Sequence, residues 1–141
     1  INALAKKYNV KRENIIEDEN GVGGGVKDYL KCKGFVNNSA PIENGVQKEN
    51  FANLKTQCYY KLAEQINMNN LYVNCDEFQE KLLKEELEMV RLAKEIDTSK
   101  ITLMSKDEVK KKIGRSPDYS DALMMRMFFE LDKPKSSYYI G

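Results

Sequence analysis

The stretch from Gly114 to Glu130 reads as a helix with a carboxylate where an apolar side chain belongs. Ser116 suits the N-cap, and Pro117 suits the first helical position because its missing N–H is an orphan there in any case. At about 100° per residue, Asp118, Asp121, Ala122, Met125, Phe128 and Phe129 project from one sector, with Arg126 and Glu130 well away from it. Asp118, in the first turn, complements the positive end of the helix dipole and needs no other account. Asp121 lies a turn further in. A carboxylate on an apolar face must find a hydrogen-bonding partner, a cation or a metal, or give up its charge. Asp121 is therefore a candidate metal ligand, with Asp118 as its neighbour.

Composition narrows the chemistry around that acid. The chain has 141 residues, enough for one domain with a genuine core, and its 41% hydrophobic and 32% charged residues fit neither a disordered nor a membrane protein. No apolar run approaches the roughly 18 residues of a spanning helix, so a soluble globular domain is expected. There is no histidine, which excludes Ser-His-Asp, Cys-His and histidine general-base mechanisms from this chain. Cys32, Cys58 and Cys75 are widely spaced with no Cys-x-x-Cys pair, which argues against a zinc ribbon or a disulfide framework and for a reducing compartment. Net charge is +1, so any nucleic-acid role must rest on how charge is distributed. Ile1 is not a start methionine and opens inside a helical pattern, so a piece of a longer protein is expected.

Along the chain, strand and helix patterns alternate. Asn2 to Tyr8 is helical in spacing, with Leu4, Ala5 and Tyr8 expected to pack on the sheet, and Asn14 to Asp18 reads as a strand. A glycine-rich turn, 20–25, leads into a helix ended by Gly34, followed by a short strand at Phe35-Val36 and a mobile loop over 37–47. The spacing predicts a helix over 50–66, with Phe51, Leu54, Cys58, Leu62 and Ile66 inward, and a strand at Leu71-Tyr72-Val73. Asp76 caps a helix running to about Glu88, with Phe78, Leu82, Leu83 and Leu87 inward. A hairpin joins 89–96 to Ile101–Met104, and Ser105 caps a basic helix that Gly114 ends. This order implies an α/β domain over 1–131 with a mixed sheet flanked by helices, and a tail over 132–141 without structure of its own.

Asp18 stands at the C-terminal end of a strand, before the glycine-rich turn; in open α/β sheets that edge is where ligands bind. The same glycines suggest a dinucleotide site, but the third glycine of that fingerprint falls on Val26, and no phosphate loop of the Gly-x-x-x-x-Gly-Lys-Ser/Thr type is present. Ser105 to Arg115 holds four lysines and an arginine just ahead of the acidic pair. Asp107 with Lys111 and Glu108 with Lys112 can pair along the helix, which leaves Lys106 and Arg115 as the better candidates for DNA phosphate contact.

Arg-Ser-Pro-Asp-Tyr-Ser-Asp-Ala-Leu, residues 115–123, resembles the closing motif of the nuclease domain in the large terminase subunit of tailed bacteriophages, a domain of the RNase H type. Asp18-Glu19-Asn20-Gly21-Val22-Gly23-Gly24-Gly25-Val26-Lys27-Asp28-Tyr29-Leu30 is similar to a second motif of that family, and Asn50 to Tyr60 to a third. The resemblance implies an RNase H-like fold with Asp18 and Asp121 as catalytic metal ligands and Asp118 close to the metal. It also favours Lys106, beside Arg115, as a DNA contact and adds Lys55 and Asn53 as candidates.

The activity implied is a Mg²⁺- or Mn²⁺-dependent endonuclease cutting concatemeric double-stranded DNA during packaging in the cytoplasm of a bacterial host. Its partners there are a terminase ATPase domain, a portal and a small terminase subunit. The family's first metal-binding Asp lies on a strand upstream of the region matched here. The resemblance therefore implies an N-terminally truncated domain, weak or inactive alone, that takes two ions when that acid is present. The competing expectation is a non-catalytic α/β module that docks on protein or DNA and uses its acids for caps and ion pairs.

Overall fold

The computed structural model describes residues 1–19, 28–43, 50–93 and 99–132. Helix α1 spans Asn2–Lys7, strand β1 Ile16–Asp18 and strand β2 Lys33–Phe35. Four longer helices follow: α2 Leu54–Asn67, α3 Glu77–Glu88, α4 Lys106–Ile113 and α5 Asp118–Arg126, with a last turn, α6, at Phe128–Leu131. β1 and β2 pair in parallel, Ile16 with Lys33, Glu17 with Gly34 and Asp18 with Phe35. Isolated bridges form apart from this sheet, parallel between Phe51 and Ile101 and antiparallel between Leu92 and Leu103. The glycine-rich turn, positions 94–98 of the hairpin and the tail from 133 onward lie outside the described residues, as do positions 44–47 of the expected loop.

The caps follow from local chemistry. Asp76 and Gln79 form a reciprocal capping box at the start of α3, and Ser105 and Glu108 form another at the start of α4. Gly114 closes α4 in the left-handed conformation, φ 73°, which costs glycine no Cβ clash. Gly34 has no such task. The left-handed residue after the helical segment 28–30 is Lys31, φ 51°, and Gly34 lies inside β2.

The core is Phe35, Leu54, Cys58, Tyr59, Leu62, Met124, Met127 and Leu131, so it sits where α2 meets α5, α6 and the end of β2. Burial of the Cys58 thiol pushes its pKa up to about 12, which makes it an inert packing group.

Several expected packing faces are corrected. On α5 the inward side is Pro117, Ser120, Asp121, Met124, Met127 and Leu131, while Asp118 and Ala122 are exposed. Helix α5 also begins at Asp118 with Pro117 as its N-cap, not at Pro117 with Ser116. Leu4 and Tyr8 of α1 are exposed and cover no sheet, and Phe78 and Ile66 likewise point outward. No strand forms at 71–73: among the described residues no neighbouring edge supplies hydrogen bonds there, and Tyr72 stands in solvent. The described part of the expected loop is tied down: the Gln57 side chain accepts from Ile42 N at 2.8 Å and donates to Ile42 O at 2.9 Å.

Candidate metal centre

Asp121 is held by α5 with its side chain only 12% exposed, facing the first two turns of α2. Lys55 and Tyr59 are one helical turn apart on α2 and so share a face. The Lys55 ammonium lies 3.1 Å from Asp121 Oδ1, and the Tyr59 hydroxyl donates to the same oxygen at 2.9 Å. From the start of α4, Lys106 places its ammonium 2.7 Å from Asp121 Oδ2. Both carboxylate oxygens are thus engaged, and the charge that the sequence places on an apolar face is balanced by two lysines.

The titration behaviour follows. Burial, the largest influence on Asp121, favours the neutral acid; Lys55 and Lys106 together outweigh it and hold the carboxyl below its ordinary range. Lys106 mirrors this, since burial works against its charge while Asp121, then Asp118 and Asp18, raise its pKa above the usual lysine value. Burial and the nearby Asp121 charge push the Tyr59 phenol upward, so Tyr59 remains a hydrogen-bond donor.

Asp18 stands at the end of β1, as its place in the sequence implies. The Asn37 side chain reaches it, Nδ2 to Oδ1 at 3.4 Å, and the Asn37 carbonyl accepts the Lys55 N–H at 3.2 Å. Asn37 therefore links the strand end to the first turn of α2. Asp121 contacts the Lys106 ammonium directly, and the more distant charges of Asp118 and Asp18 add to the field that favours its charged form. Among the described residues no group of three or more acidic or cysteine side chains is close enough to hold a metal ion.

A comparison with solved structures completes the geometry. The nuclease domain of the large terminase subunit gp2 of bacterial virus Sf6, a lysine-to-alanine mutant with manganese, superposes with a TM-score of 0.72. Identity is 23%, over 89% of this chain and 69% of that one. A calcium-containing mutant of the same domain gives a TM-score of 0.71 and the unmutated domain 0.69, each at 24% identity over 89% of this chain and 68% of that one. The fold is that of a terminase nuclease domain. No family model matches the sequence, and no curated protein matches it. Among the described residues of this RNase H-like domain, no helix is long and apolar enough to cross a membrane.

Within that fold the remaining site residues divide. Arg115 is turned away from the aspartates: its guanidinium meets Glu86, lies 2.8 Å from Glu85 Oε2 and donates to the Leu82 carbonyl at 3.2 Å. Asn53 is the N-cap of α2, accepting from the Thr56 N–H and hydroxyl at 2.9 Å each. Lys55 and Lys106 face the carboxylates. Sequence reasoning missed Tyr59, Asn37 and Glu86; only Tyr59 left a signal, in its four-residue spacing from Lys55.

Proposed function

We propose that this chain is the metal-dependent endonuclease domain of a phage DNA-packaging terminase, hydrolysing phosphodiester bonds of concatemeric double-stranded DNA. The observation that carries the reading is that, in the fold of terminase nucleases, a buried Asp121 is held by Lys55, Lys106 and Tyr59, and Asn37 ties Asp18 at the end of β1 to the first turn of the same lysine-bearing helix.

Asp18 and Asp121 would hold the ion, with Asp118 beside them. Carboxylate donors without histidine favour Mg²⁺ or Mn²⁺ over Zn²⁺. Two acids suffice for one such ion, because Mg²⁺ retains several waters and takes its other ligands from substrate phosphates; a second ion needs a further carboxylate. The bound ion supplies Lewis acidity and a more acidic water for attack at phosphorus. The chain's own residues prepare the site. The Tyr59 hydroxyl fixes the orientation of the Asp121 carboxylate. Lys55 and Lys106 balance Asp121 and would be the cations offered to the DNA backbone, whose contacts position a duplex without reading its sequence. In this reading the ATPase domain, portal and small terminase subunit are the protein partners, and the host cytoplasm is the setting.

Mn²⁺-dependent plasmid cleavage by the chain, and by a form extended upstream of Ile1, tests the reading. Cutting that disappears in both Asp18→Asn and Asp121→Asn supports it; cutting that persists in both overturns it. A second reading, a non-catalytic docking module, has one observation in its favour: Asp121 is already neutralised by its own lysines. Absence of Mn²⁺ binding by calorimetry would select that module.

A further inference from the structure

Helix α5, which carries Asp118 and Asp121, starts without a side-chain cap of its own, because Pro117 occupies the N-cap. The first N–H groups of a helix need acceptors. The missing acceptor comes from another helix. Glu86 of α3, fully sealed from solvent, accepts the Ser120 N–H through Oε2 at 2.7 Å. Its other oxygen meets Arg115, two residues before Pro117. A single carboxylate therefore grips α5 on both sides of its first turn, and it is the one buried residue of α3.

The next residue after Ser120 is Asp121. Tyr59 binds both, with its hydroxyl 3.3 Å from Ser120 Oγ and donating to Asp121 Oδ1. Moving the Ser120 main chain therefore shifts the Asp121 carboxylate relative to Lys55, Lys106 and Tyr59.

We infer that Glu86 is a positioning residue for the metal centre, setting where Asp121 stands by capping α5 in trans, with Arg115 as its counter-ion. The inference rests on the reading of Asp121 as a metal ligand. Residues that orient a ligand from behind it are worth about 10- to 100-fold in metal affinity when removed.

The test is Mn²⁺ binding by calorimetry on the full chain, beside thermal unfolding of each variant. Glu86→Gln keeps the shape but has only one oxygen, and its amide sets a donor against Arg115 or against Ser120. The expected result is a Kd about tenfold weaker than wild type. Leu131→Ala, a core truncation in α6, lowers stability and leaves Kd unchanged. Adding Arg115→Met to Glu86→Gln frees the glutamine oxygen for the Ser120 N–H and restores part of the affinity.

Wild-type affinity in Glu86→Gln, an equal loss in Leu131→Ala, or no recovery in the double variant would each overturn the positioning role. These outcomes differ from failure of the underlying reading, in which wild type and Asp121→Asn bind Mn²⁺ equally poorly and both claims fall.

Discussion

Glu86 and Asp121 are both carboxylates buried against the first turns of α5, yet they are held in opposite ways. Glu86 is closed to solvent and meets a guanidinium and a main-chain N–H. Asp121 keeps a narrow opening and meets two ammonium groups and a phenol. An arginine fork remains charged and rigid, whereas a lysine is a single charge on a flexible stem that can move off its partner. The first setting locks a helix in place. The second leaves a carboxylate whose counter-ions can be exchanged for another cation.

The contrast can be broken most directly at Asp121. Asp121→Asn is expected to lower Mn²⁺-dependent plasmid cleavage by on the order of 10³-fold while leaving near-native circular dichroism; full cleavage would place Asp121 in the class of Glu86. Arg115→Met strands a sealed charge and is expected to cost about 3 kcal/mol in urea unfolding, below the full cost of a wholly buried pair because the arginine is partly exposed. A cost within the range of surface pairs, about 1 kcal/mol or less, would erase the distinction between the two sites.

Smaller effects sharpen the comparison. Tyr59→Phe removes one buried hydrogen bond, with an expected stability loss of about 1 kcal/mol, and calorimetry should show weaker Mn²⁺ binding.

The pH dependence of stability tests the setting of Asp121. Because Lys55 and Lys106 overcome burial and lower the pKa of Asp121, its contribution is complete above the ordinary carboxyl value of about 3.9 and is lost as pH falls through the lower folded value. Denaturant midpoints measured from pH 5 down to 2 should therefore fall more steeply for wild type than for Asp121→Asn. The raised pKa of Lys106 works at the other end, contributing below about pH 10.4 and fading as pH rises through its higher folded value. Asn53→Ala should cost stability alone, about 1 kcal/mol for a lost cap, with Mn²⁺ binding unchanged; a fall in DNA affinity at unchanged stability would instead give Asn53 the phosphate contact that its family motif implies.

Much of this arrangement is readable without coordinates. The capping boxes at Asp76 and Ser105 are short-range patterns, and they formed as written because their partners lie three residues away. Asp121 could be singled out because charge on an apolar face is a conflict visible in one helix. The phase of that face was harder to read: Met124 is sealed while Met125 packs only part-buried against the core, and beyond the turn at Met127 it is Met127 and Leu131 that are buried, not Phe129.

Residues 71–73 have strand-like composition, but a strand exists only where an edge is offered to it. Arg115 looked like a phosphate ligand because its partners are Glu85 and Glu86, 30 and 29 positions away, and no local pattern links them. Glu86 was hidden for the same reason. Position i, i+3 and i+4 rules identify which residues share a helix face and are silent about which other helix that face will meet.

Asn37 joins the strand end to the lysine helix with one side-chain amide and one carbonyl. That double attachment makes it a built-in reporter. In a nitrogen-15 spectrum its side-chain NH₂ resonance would register a cation arriving at Asp18, and the Lys55 amide bonded to its carbonyl would register any tug transmitted across the cleft, so one titration could read both walls of the site without a label being attached.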